Sequence, residues 1–212
     1  MSQNNTTESR INDRKRLTRM CLLALFIAIQ LAMQITGISF IPVGPLNMSF
    51  QTVPVAIGAM LLGPAAGALL GCVFGLCSLW TAVTGGSVMT NTFFMISPLH
   101  TILLCVGTRT LMGFLVGLIY KSLKKADPKR RFSCFVGGIS APLLNTLFFM
   151  GYIVLFFYQT TYIQEKVAVM GAANALVFVL NMVGLQGLLE AAAGCIIGGG
   201  VTRALVSALK EY

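Results

Sequence analysis

Acidic side chains are scarce in this chain: Asp and Glu together number 6 among 212 residues, against 15 Lys and Arg. Charge of either sign makes up only 10% of the sequence while 56% is hydrophobic, and mean hydropathy is +0.83. That excludes a soluble globular domain and a disordered chain alike. There is one histidine, and none of the cysteines falls in C-x-x-C or Cys/His spacing. Neither a metal site nor a disulfide framework is expected, and no cofactor. The patterns G-x-x-x-x-G-K-[ST], G-x-S-x-G and H-E-x-x-H do not occur; the chain has no ATP site of its own and no familiar hydrolase motif.

What the chain does have is apolar runs enough for about six spanning helices of roughly 20 residues each. The expected fold is an all-α integral membrane bundle of six transmembrane helices: a basic segment, residues 1–16, then one six-helix domain, residues 17–210. The first apolar run continues unbroken without an A-x-A site, as a retained span does. Positive charge is gathered into two places. Arg10, Arg14, Lys15, Arg16 and Arg19 precede the first run, and Lys121, Lys124, Lys125, Lys129, Arg130 and Arg131 fill one loop. Because short cytoplasmic loops carry the excess of Lys and Arg, both termini and that loop are placed in the cytoplasm. The Gly37, Thr84 and Gln159 loops then face outward from the cell membrane. Charge arranged in this way orients helices and argues against a nucleic-acid partner.

The organising stretch is Phe50 to Gly86, which carries no charge. Gly63, Gly67, Gly71 and Gly75 recur every four residues, a stripe along which another helix backbone lies close. Pro64 after Gly63 ends one helix and begins the next. Before it, a first helix from about Leu17 to Thr36 repeats Ala24, Ala28 and Ala32, either as internal packing or as a docking face for a membrane protein. The uncharged Gly37 to Met48 loop is placed to cap a cavity. A second helix from about Met48 to Leu62 is only roughly 22 Å long, which suits irregular backbone beside a cavity and makes Asn47, Ser49 and Gln51 rim candidates. Trp80, near the end of the third helix, is either an interfacial belt residue or a ring for a ligand.

From Met20 to Tyr120 the only charged side chain is Arg109, and from Phe132 to Thr202 there are only Glu165, Lys166 and Glu190. Arg109 falls mid-helix in the Pro98 to Tyr120 run, where insertion costs about 2.5–3.5 kcal/mol on translocon scales, so it needs a partner. Glu190 in the last helix is the acid at similar depth. They either form a structural ion pair or face a cavity and meet a solute. Gly113 and Gly117 share the Arg109 face, so a pocket at Arg109 opens outward, away from them. Asn145, Phe149 and Tyr152 give the fifth helix one amide and two rings on one face, fitting an organic solute or core packing. Asn181 and Glu190 can share a cavity only if the last helix breaks, as Gly184 and Gly187 permit. His100 beside Ser97 or Ser140 is weak ground for an intramembrane hydrolase.

The succession ALFIAIQLA, PVGPLNMSFQTVPVAIGAMLLGPAAGALLGCVFGLCSLWTA, TRTLMGFLVGLIY, APLLNTLFFMGY and LQGLLEAA resembles the substrate-binding S component of energy-coupling-factor vitamin transporters, over nearly the whole chain. The resemblance implies capture of a vitamin from outside by a subunit that then docks on a transmembrane scaffold subunit, with two separate ATPase subunits supplying energy. It implies that the Ala24, Ala28 and Ala32 face meets the scaffold and that the first outer loop closes over the ligand. NM-x-F-Q-T-V-P, FGLCSLW, Asn145-Thr146 and Glu190 are most similar to the pantothenate-type branch; folate, riboflavin or biotin are the alternatives. Pantothenate has one carboxylate, an amide and two hydroxyls. Arg109 is expected to take the carboxylate, with Asn145 and Glu190 on the neutral groups and Trp80, Asn47, Gln51 and Tyr152 around them.

Overall fold

The structure is a computed structural model that describes residues 2–43, 46–127 and 132–208, apart from the side chains of residues 2–12, 40–43, 46–48 and 185. Helix α1 spans Ser2–Ile35, so it begins well before the apolar run expected to start at about Leu17. A two-stranded antiparallel hairpin follows, β1 Phe40–Val43 with β2 Leu46–Ser49, in a register that pairs Phe40 with Ser49. Then come α2 Thr52–Leu62, α3 Pro64–Val83 and α4 Val88–Ile96. Helix α5, Pro98–Ala126, contains a π-helical segment at Leu103–Gly107. Helices α6 Ser133–Phe156 and α7 Thr161–Val169 lead to α8 Ala175–Gly184 and α9 Gln186–Ala208.

Among the described residues five stretches are long and apolar enough to cross a membrane: Asp13–Ile35 of α1, then α3, α5, α6 and α9. Helix α2 is too short, about 16 Å at 1.5 Å per residue, and apolar on every side. It is the pin of the bundle. Among its residues only Leu61 is not buried, and Val55, Ala56, Ala59 and Met60 form one core with Leu70, Phe74, Met112, Val116 and Ala141. A helix hydrophobic all round is stable only when neighbours surround it. Gly63 makes the turn to α3 possible, at φ 95° with Pro64 opening the next helix, a conformation that a side chain would strain.

The glycine stripe meets α5 backbone to backbone. A Cβ added at Gly67 would overlap the Gly113 carbonyl oxygen, one at Gly71 the Arg109 carbonyl oxygen, and one at Gly75 would lie 2.6 Å from Val106 Cα. Gly63 belongs to the turn, and a Cβ there would meet nothing within 4 Å, but its carbonyl carbon would lie 3.1 Å from a Cβ added at Gly117. A second seam joins α6 to α9: an added Cβ at Gly138 would overlap the Gly194 carbonyl oxygen, and one at Gly199 would lie 2.9 Å from Phe135 Cα. Close backbone approach of this kind is how helices associate where lipid removes the hydrophobic drive between them.

Toward the other end the packing changes to rings and thioethers. Met89, Phe93, Leu104, Met150, Ile153, Phe157, Ile163, Phe178 and Met182 make a second core among α4 to α8. Helices α4 and α7 were expected to be loops. Both are nine residues long, α4 burying Met89, Thr90 and Phe93 and α7 only Ile163, too few positions for local patterning to mark. The expected single last helix is broken: Gly184 has φ 29° and ψ −124°, which swings α9 away from α8.

Candidate functional site

A cavity of about 430 Å³ lies among α3 to α9 and the end of β2, within the size range of small-molecule sites. The two seams set its polar groups. Gly71 against the Arg109 backbone fixes the height of α5 and carries the guanidinium to the cavity wall. Gly138 against Gly194 locks α6 to α9; Asn145 stands two turns beyond Gly138, and Glu190 one turn before Gly194. Arg109, Asn145 and Glu190 all line the cavity.

Arg109 is 4% exposed. Its Nη1 donates to the Cys105 carbonyl at 3.1 Å, and its guanidinium carbon lies 4.5 Å from the Phe74 ring centre and 4.9 Å from that of Phe149. Phe74 belongs to the first core and Phe149 packs on the second, so the cation sits at their boundary. Ring faces stabilise a desolvated guanidinium but satisfy none of its donors. Its Nε has no hydrogen-bond partner, and neither does Asn145 Oδ1. An unsatisfied buried polar atom costs about 1–3 kcal/mol, so two of them beside one cavity suit a polar guest.

Glu190, 5% exposed, makes no ion pair with Arg109. Its Oε1 accepts from the Ser49 backbone N–H at 2.7 Å and from Gln186 Nε2 at 3.1 Å. The acid is thus bound to the end of the β hairpin as well as to its own helix. Ser49, Ser78, Thr81, Ser87, Thr90 and Thr146 add hydroxyl-bearing side chains to a lining that is mixed polar and apolar. Lys166, whose Nζ lies 5.1 Å from the centre of the Tyr162 ring, borders the cavity with Tyr162 and Ser87. Both π-helical segments adjoin the charged pair: Leu103–Gly107 ends two residues before Arg109, and Gly194–Gly199 starts four after Glu190. Such segments recur at functional sites because they re-aim the side chains of a helix.

The other sequence candidates are placed elsewhere. Trp80 is 65% exposed and outside the lining; on a helix it points about 160° away from Ser78, which does line the cavity. Gln51 is buried, with Nε2 donating to Ser39 Oγ at 2.6 Å, and it fastens the base of the hairpin. The Tyr152 hydroxyl pairs with His100 Nδ1 at 2.9 Å, above the cavity on the Asn145 face of α6. His100 also lies against Phe156, ring centres 4.9 Å apart. The side chain of Asn47 is outside the described residues. Ala24, Ala28 and Ala32 are exposed on the outer side of α1. Among the described residues no cluster of ligating side chains could hold a metal ion. The sequence reading missed Lys166 as a lining residue, although it is one of the few charges between Phe132 and Thr202; the lining hydroxyls carried no comparable signal.

Residues 18–197 match the family described as ECF transporter, substrate-specific component. The chain is also similar to the pantothenic acid transporter PanT of Lactococcus lactis subsp. cremoris (strain MG1363), 29% identical over 163 residues, which is 69% of this chain and 78% of that protein.

Proposed function

The chain belongs to the substrate-specific components of ECF transporters, and from that premise we propose that it captures pantothenate for uptake across the cell membrane. The observation that carries this reading is the pairing of a buried Arg109, its Nε without a partner, with the unpartnered Asn145 Oδ1 on one cavity wall. A carboxylate on the guanidinium neutralises the one buried cation among the described residues through charge-assisted hydrogen bonds. Asn145 accepts from a hydroxyl or amide N–H, Glu190 accepts from a second hydroxyl, and Phe149, Met150 and Val183 cover the apolar part of the molecule.

Six crossings make up the membrane domain in this reading: α1, α2 with its hairpin, α3, α5, α6, and α8 with α9 as one broken span. Helices α4 and α7 are lids at the outer end, where Ser87 and Lys166 border the cavity. The basic amino-terminal residues and the loop after α5 lie at the cytoplasmic end. Solute therefore enters from outside. Ser49 binding Glu190 ties the first outer loop to ligand occupancy, since a hydroxyl that approaches Glu190 competes with or supplements that bond. The exposed Ala24, Ala28 and Ala32 stripe is the surface for the transmembrane scaffold subunit, whose two ATPase partners supply energy. Capture itself needs no chemistry from this chain.

Mass spectrometry of small molecules released on denaturing the purified protein tests the reading of the ligand. Pantothenate in near-stoichiometric amount is the expected result, and a different vitamin in that amount overturns it. The docking surface is tested by Ala28→Leu: uptake by the assembled transporter falls at least about ten-fold because close helix approach is blocked, while solute binding by the isolated subunit is unchanged. Unimpaired uptake would remove the stripe from the interface.

A further inference from the structure

A second concavity, about 370 Å³, lies at the opposite end of the molecule from Lys166, between α1 and the α2–α3 turn. Lys15, Arg16, Arg19, Met20 and Leu23 of α1 line it together with Leu62 and Ala66 from either side of the turn. No acidic residue lines it. Arg19 Nη2 donates to the Leu62 carbonyl at 2.8 Å, which satisfies one of the orphan carbonyls at the end of α2 and holds the guanidinium over the turn. Lys15 and Arg16 are exposed and have no hydrogen-bond or ion-pair partner among the described residues. Three cations are thus gathered on a groove whose floor is hydrocarbon.

We propose that this groove binds the headgroup of one anionic phospholipid, with an acyl chain laid along its apolar wall. The phosphate is the part that three cations recognise, and basic recesses between helices at a membrane surface are suited to it. The apolar wall decides for a lipid over a free anion. Met20 and Leu17, 60% and 61% exposed, continue the floor onto the outer face of α1, where an acyl chain gains contact and inorganic phosphate gains none. The groove spans little more than two turns of α1, from Lys15 to Leu23, too short for a partner helix to lie along it. Leu17 and Met20 lie within about 20° and 40° of Ala24 round α1, so an acyl chain continued over them borders the small-residue stripe at its basic end.

Native mass spectrometry of the purified chain with equimolar phosphatidylglycerol and phosphatidylcholine of identical acyl chains tests the proposal, using wild type and the double variant Lys15→Gln, Arg16→Gln. Arg19 is left intact because it caps α2, and thermal unfolding compares the folded state of the two proteins. Wild type retains one phosphatidylglycerol in preference to phosphatidylcholine, by about ten-fold or more, and the variant loses that preference while unfolding at the same temperature. Equal retention of the two lipids, or unchanged preference in the variant, overturns the proposal. Displacement by millimolar inorganic phosphate would assign the groove to a free anion and also overturn it. So would a groove that retains no lipid but is protected from hydrogen exchange only on assembly with a protein partner.

Discussion

Around α2 the helices touch through their backbones, with Gly67, Gly71 and Gly75 against α5 and Gly138 against α9. Around α4, α7 and α8 they are kept apart by side chains: Phe93 stacks on Phe157 at 4.3 Å and meets Tyr162 edge-on at 6.1 Å. The first region leaves no room for a solute, and the cavity begins where it ends. Backbone contact fixes helix height and rotation without side-chain freedom, whereas rings and methionines on short helices tolerate a change of filling. A rigid half therefore aims Arg109, Asn145 and Glu190, and a softer half covers them. Glu190 is tied in addition to the end of β2, its Oε1 accepting from the Ser49 N–H at 2.7 Å.

The largest expected effect breaks the rigid half. Gly71→Leu places a side chain in the Arg109 backbone and destabilises the fold by about 3 kcal/mol or more, measured by thermal unfolding in detergent; a variant as stable as wild type would show that the seam is not what fixes α5. Next, Arg109→Gln should weaken pantothenate binding about 100-fold or more, because a buried carboxylate left without its cation is costly. Ligand-free stability is expected to hold or rise, since the variant removes a buried charge. Calorimetric titration and unfolding together check this, and parallel loss of both would place Arg109 in the rigid half as a structural residue. Asn145→Ala follows, at roughly ten-fold in affinity for one hydrogen bond. The smallest effect is Gly151→Ala: no atom lies within 4 Å of the added Cβ, so stability stays within about 0.5 kcal/mol. A seam-like loss there would erase the contrast between the regions.

In the rigid half the Gly67, Gly71 and Gly75 seam was legible in the sequence, because glycines at four-residue spacing in an apolar helix admit close approach of another backbone. Arg109 and Glu190 were marked as candidates by the cost of burying charge and Asn145 by its amide beside two rings, while Gly184 and Gly187 were marked only as places where a single last helix could break. The softer half was not legible in the same way. Helices α4 and α7 are held by a few buried side chains, Met89, Thr90 and Phe93 in one and Ile163 in the other, whose partners are remote in sequence. The seam of Gly138 with Gly194 and Gly199 pairs residues more than fifty positions apart, and neither segment signals the other. Trp80 misled through its chemistry, because rotation about α3 turns it outward, and Tyr152 misled through height, because it shares the angular face of Asn145 but meets His100 instead.

Arg109 as the seat of a carboxylate is tested most directly by titrating wild type and Arg109→Gln with pantothenate and with pantothenol, in which an alcohol replaces the carboxylate. Wild type is expected to prefer pantothenate by about 100-fold or more and the variant to bind both within a few-fold of one another. An Arg109→Gln protein that still discriminates as wild type does would contradict the account.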